Sequence, residues 1–146
     1  MNNLIEKHAK TFYWASFFLS KQTFSKCSSL YNFCRTLDDI VDDDNRLERK
    51  KEIFKKFKKD FINRDLNNSI IKEMWTIMDS ENISKKVVND LFDGVETDLE
   101  EKVQINTKKD LLVYSYRVAG TVGLMMSKIL KVNNKEALKG AIDLGI

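Results

Sequence analysis

Proline is absent from this chain of 146 residues, where average usage would place roughly seven. Glycine is scarce too, at 5 residues. A chain so poor in breakers is ill suited to the many tight turns of a β-sandwich or barrel, and it favours long helices. Two cysteines, Cys27 and Cys34, and a single histidine, His8, cannot build a zinc finger or a disulfide framework. Helical spacing puts both thiols on one face, which reads as reduced core residues of a cytosolic protein. The longest apolar run beyond the N-terminal region, Val118 to Met126, has nine residues, about half of what a bilayer span needs. Phe12 to Leu19 follows Lys7 and Lys10 and has the outline of a signal-peptide core. It is aromatic rather than Leu/Ala-rich, and Ser20-Lys21-Gln22 offers no small-x-small cleavage site.

What is present fits one globular domain. The hydrophobic fraction is 42% and the charged fraction 32%, a balance that argues against disorder. The net charge of +3 is unevenly spread. Arg46 to Lys59 holds eight basic residues against Glu48 and Glu52, a local charge of +6, so the rest of the chain is −3. One basic helix is a different thing from a generally basic surface, and no nucleic-acid partner is expected. Residues 46–63 carry either a solvated face or a basic amphipathic face that meets a membrane surface.

Periodicity predicts helices nearly throughout. The first covers residues 3–19 and the second runs from about Thr23 to Asp43, with Thr23, Ser25 and Ser28 as candidate caps. A third, 46–63, sets Ile53, Phe54, Phe57 and Phe61 against its lysines. Asn67-Asn68-Ser69 opens a fourth that ends near Ser80, and Ser84 opens a fifth to about Val103. Thr107 caps a sixth that continues to Lys131, and a seventh begins near Lys135 and is still unterminated at Ile146. No internal repeat or low-complexity linker is seen.

The second helix carries the clearest chemical pattern. Leu30, Cys34, Leu37 and Val41 form its apolar stripe. Tyr31, Arg35, Asp38 and Asp42 follow the same steps one residue later, along one edge of that stripe. Asp39 and Asp43 fall further round, towards solvent. Carboxylates at i and i+4 repel each other by a few tenths of a kcal/mol, and a hard divalent cation removes that repulsion. Mg²⁺ takes one or two protein carboxylates and fills its octahedron with water and phosphate oxygens. The spacing is that of a metal-bridged diphosphate site, and equally that of a solvated acidic helix end. An EF-hand is not expected, because no glycine occupies the middle of Asp38 to Glu48.

The sixth helix is the second signal. Ala119, Gly123 and Ser127 make a smooth strip at i, i+4 and i+8, although glycine inside a helix costs roughly 1 kcal/mol relative to alanine. Such a strip admits a ligand or a tightly packed neighbouring helix.

Three blocks together narrow the reading: His8-x-Lys10-Thr11-Phe12; Tyr31-x3-Arg35-x2-Asp38-Asp39-x2-Asp42-Asp43; and Tyr114-x3-Val118-Ala119-Gly120-Thr121-Val122-Gly123. In order and separation they resemble the squalene/phytoene synthase family, and Val-Ala-Gly-Thr-Val-Gly-Leu-Met-Met is most similar to bacterial phytoene synthases. The resemblance implies an all-α isoprenoid (terpenoid) synthase fold, with helices around an apolar cavity in which two prenyl diphosphates are joined head to head. For the phytoene type these are two geranylgeranyl diphosphates, joined through a cyclopropyl diphosphate in carotenoid biosynthesis. The alternatives are a squalene or dehydrosqualene synthase acting on farnesyl diphosphate, or a non-catalytic fragment.

By the same resemblance, Asp38 and Asp42 hold Mg²⁺, with Mn²⁺ as the substitute ion, and Arg35 assists. NADPH enters only for the squalene type. Tyr114 handles the proton lost as the cyclopropyl intermediate forms. His8, Phe12, Tyr31, Ala119, Val122 and Gly123 line the substrate site. The family's second aspartate-rich helix, with a Gln-x2-Asn-x3-Asp pattern, is missing. Residues 1–146 are therefore expected to be the N-terminal part of one synthase domain, truncated before that motif, with the C-terminal half as the missing partner. The expected location is cytoplasmic, with peripheral contact at the inner membrane face.

Overall fold

In a computed structural model, residues 18–100 and 105–143 are described, and all their regular structure is helical. The helices are α1 (Lys21–Asp42), α2 (Leu47–Ile62), α3 (Ser69–Glu81), α4 (Lys85–Thr97), α5 (Lys108–Ser115), a π-helical segment (Tyr116–Gly120), α6 (Thr121–Ile129) and α7 (Lys135–Asp143). The expected first helix falls outside the described residues except at its end, where Phe18 and Leu19 form a turn and a bend.

Most helix starts lie where polar capping residues place them. Asn68 Oδ1 accepts from the Ile70 and Ile71 amides, Ser84 caps α4, and Thr107 and Asp110 form a reciprocal capping box at α5. The start of α1 differs from expectation. Ser20, not Thr23, Ser25 or Ser28, is the cap, accepting from the Thr23 amide at 3.1 Å. The hydroxyls of Ser28 and Ser29 lie inside the helix and donate back to the Phe24 and Ser25 carbonyls.

Two further differences shape the site. The fifth expected helix ends at Thr97 rather than near Val103. Successive three-residue turns from the Val95, Glu96 and Thr97 carbonyls tighten the chain there. That tightening turns Leu99 into the core, where it is 2% exposed. The sixth expected helix is not continuous: one wider turn interrupts it at Tyr116–Gly120, where the Thr121 amide bonds the Tyr116 carbonyl. Single π turns inside α-helices are frequent at functional sites.

The core is a knot of aromatic rings. Phe92, fully buried on α4, meets Phe33, Phe54, Phe57 and Phe61 with centroids 5.8, 6.0, 6.4 and 5.2 Å away. Trp75 stacks on Phe61 at 5.2 Å and donates its indole proton to the Phe61 carbonyl. This knot fixes α1, α2, α3 and α4 relative to one another. Cys27 is buried with it, and both cysteines are free thiols.

The other end of the bundle depends on close backbone approach. A Cβ on Gly94 of α4 would stand 2.7 Å from Arg117 Cβ and 2.9 Å from Val118 Cγ1, so the absence of a side chain there seats the π segment. Gly94→Ala is expected to lower stability by about 1–3 kcal/mol through overpacking. Chemical denaturation checks this, and an unchanged midpoint would contradict the packing account.

Candidate functional site

Where α1, α4, the π segment and α6 meet, they leave an open cavity of about 330 Å³. Its wall is Cys34 and Leu37 from α1, Leu91 and Val95 from α4, and Val118, Ala119 and Val122 from the last two elements. Two carboxylates interrupt this apolar lining, Asp38 and Asp98. An apolar cleft with a few convergent polar groups is the usual composition of a small-molecule site. A larger groove of about 600 Å³ runs between α1 and α3, and none of the sequence-predicted site residues lines it.

Each expected residue has a definite place. Asp38 sits at the cavity edge with its side chain exposed, and Asp42 lies one turn further along α1, also exposed. Neither makes an ion pair among the described residues. Arg35 is bound to Asp39 at 2.8 Å, the carboxylate expected towards solvent, which is indeed exposed. Ala119 and Val122 line the cavity, and Tyr31 is half-buried on the same edge of α1. Gly123 instead faces α7, where a Cβ would collide with the Ala141 backbone. His8 and Phe12 lie outside the described residues.

The electrostatics follow from this arrangement. Partial burial pushes the Asp38 carboxyl above its ordinary value, against the lowering effect of Arg35, and the charges of Asp42, Asp39 and Asp98 add to the rise. Cys34, behind it, is pushed up to about 12 by burial and by Asp38, so the thiol is neutral. Among the described residues, no three His, Cys, Asp or Glu side chains converge to enclose an ion. Two neighbouring carboxylates open to solvent still suit Mg²⁺, which binds through one or two such groups and takes the rest of its shell from water and phosphate.

Asp98 was not among the residues singled out from the sequence. Glu96, Asp98 and Glu100 alternate along a polar run that reads as solvated, and only the tightened end of α4 turns Asp98 to the cavity. There it accepts a hydrogen bond of 2.7 Å from Tyr114 Oη. Burial first, then this carboxylate, lift the Tyr114 phenol to about 12. A phenol with an ordinary pKa near 10 needs a neighbouring positive charge or a hydrogen bond to handle a proton. The hydrogen bond is present, and its acceptor is an anion.

Comparison with known proteins gives the chain its place. A family profile described as squalene/phytoene synthase matches residues 5–146. Over all of its length the chain is 27% identical to 15-cis-phytoene synthase of Pantoea ananas, covering 52% of that protein. It is 28% identical to phytoene synthase of Rhodobacter capsulatus, with 98% of the chain and 43% of the relative aligned. Against phytoene synthase 1, chloroplastic, of Zea mays the identity is 27%, over 98% of the chain and 37% of the relative. The chain thus spans about half or less of the length of these relatives. Its all-helical architecture, the apolar cavity and the profile match agree: the chain belongs to the squalene/phytoene synthase family.

Proposed function

We propose that this chain supplies the first aspartate-bearing half of a head-to-head prenyltransferase of the phytoene synthase type, acting on geranylgeranyl diphosphate. The observation that carries the reading is the placement of Asp38, with Asp42 one turn on, at the rim of an apolar cavity in a chain of this family. Mg²⁺ held by Asp38 and Asp42 would neutralise the diphosphate as it leaves. The chain's own residues do the rest. Arg35, on the same edge of α1, adds fixed positive charge beside the carboxylates. Leu37, Leu91, Val95, Val118, Ala119 and Val122 exclude water from a cationic prenyl chain. Tyr114 stands next to the cavity residue Asp98 to handle the proton given up by the intermediate.

Joined to the complementary half of a synthase of this family, the chain is incubated with geranylgeranyl diphosphate, and in parallel with farnesyl diphosphate, in the presence of Mg²⁺, and extraction of hydrocarbon tests the reading. A forty-carbon product supports it. A thirty-carbon product from farnesyl diphosphate alone moves the assignment to the squalene or dehydrosqualene type, and substrate binding without product leaves a non-catalytic fragment.

The proposal includes peripheral contact with an anionic membrane through α2. No helix among the described residues is long and apolar enough to cross a membrane. On α2, Arg49 pairs with Glu52, Lys56 with Asp60, and Lys58 with Asp93 and Glu96, while Lys50 donates to the Val41 carbonyl. Lys51, Lys55 and Lys59, at i, i+4 and i+8, make no ion pair among the described residues, and the exposed Ile62 extends their stripe. Each such lysine contributes about 1 kcal/mol at an anionic surface. Sedimentation with anionic vesicles should therefore fall steeply with salt. Equal binding to neutral vesicles would reduce the stripe to a solvated face.

A further inference from the structure

We propose that Asp98 is the positioning residue of this site: its carboxylate fixes the Tyr114 ring beside the cavity and holds the phenolic proton. The inference rests on the prenyl-transfer reading for its purpose, but its geometry stands without it.

Two tyrosines two residues apart reach back to Asp90 of α4 and to Asp98 just past its end, and the two contacts differ. Tyr116 Oη donates to Asp90 at 3.4 Å, and Asp90 is already neutralised by Lys86 at 2.7 Å. Tyr114 Oη donates to Asp98 at 2.7 Å, and Asp98 makes no ion pair among the described residues. The second acceptor therefore keeps its full charge for the phenol, and charge-assisted bonds of this kind are the strong ones. Asp98 is also well fixed, since its backbone amide closes the end of α4 on the Val95 carbonyl at 3.0 Å. Its side chain reaches the cavity wall that Asp38 reaches from α1.

The consequence concerns where a proton can go. With the phenol lifted to about 12, only roughly one molecule in 10⁵ carries a phenolate at neutral pH. Tyr114 is therefore a poor base by itself. A neutral phenol takes up a proton only as it passes its own on, and Asp98 Oδ1 is the atom in line to receive it. In the proposed reaction, the electron pair of a C–H bond beside the cation would close the ring. The released proton would go to Tyr114 Oη as the phenolic proton passes to Asp98, which returns it to water.

The test uses the chain labelled with ¹³C at tyrosine Cζ, with the Tyr114 signal assigned by its loss in Tyr114→Phe. In the native chain Tyr114 should titrate near 12, and Asp98→Asn, which keeps the shape, should lower its proton affinity about tenfold or more. Tyr116, bound to Asp90, should not move. At neutral pH, where alkaline unfolding does not intervene, the Tyr114 Cζ shift should change on Asp98→Asn. A Tyr114 signal indifferent to Asp98→Asn overturns the proposal. No substrate is needed, so that result would leave the prenyl-transfer reading standing, and failure of prenyl transfer would leave this bond intact.

Discussion

Asp38→Asn and Asp42→Asn are each expected to weaken Mg²⁺-dependent binding of a prenyl diphosphate by about a hundredfold or more. Asparagine has nearly the size of aspartate, so the helix and the cavity edge are preserved and only the negative charge is lost. Losing a residue that merely orients a ligand typically costs 10–100-fold in metal affinity, and losing one of two carboxylate ligands should exceed that. Both side chains are exposed and neither makes an ion pair among the described residues, so neither substitution strips a partner of its counter-charge. Asp43→Asn is the control. It makes the same change in net charge one residue beyond α1, and an asparagine there can still accept the Asn45 amide. Calorimetric titration of the three variants separates a specific site from a general loss of acidity. Equal weakening in all three would leave Asp38 and Asp42 as a solvated acidic helix end.

Phe92→Ala is expected to have the largest effect on stability, about 3–5 kcal/mol. Phe92 is fully buried and touches four other phenylalanine rings contributed by α1 and α2. No neighbour can collapse into the space without giving up its own packing, so transfer and cavity costs add. The same helix carries Gly94 and Val95 and leads directly into Asp98, so loosening it should also disturb the cavity. Equilibrium denaturation measures the first effect. A loss below about 1 kcal/mol would mean the aromatic knot repacks freely, which its tilted and edge-on geometry argues against.

The sequence made some of this legible and hid the rest for physical reasons. The stripe Leu30, Cys34, Leu37, Val41 on α1 and the lysine-against-phenylalanine division of α2 are local periodicities, and both are present as read. Leu30 and Leu37 are buried outright, while Cys34 is spared for the cavity. The cap of α1 was ambiguous because five serines and threonines lie between Ser20 and Ser29, and each can bond either forwards or back. The π turn could not be read, because what seats it is the missing side chain of Gly94, more than twenty residues earlier. Asp98 was hidden for a related reason: its importance comes from the turn that ends α4, not from its neighbours. On α5 the apolar Leu111, Leu112 and Val113 are 49%, 42% and 42% exposed, so apolar character there does not mark the core.

The central claim is that diphosphate reaches this chain through a metal held by Asp38 and Asp42. The most direct measurement is calorimetric titration of the unmodified chain with geranylgeranyl diphosphate, once with Mg²⁺ and once with the metal removed by EDTA. Saturable binding that requires Mg²⁺ is the predicted result. Binding of equal strength in EDTA would show that the lipid tail alone is held, and no binding under either condition would contradict a substrate site at this cavity.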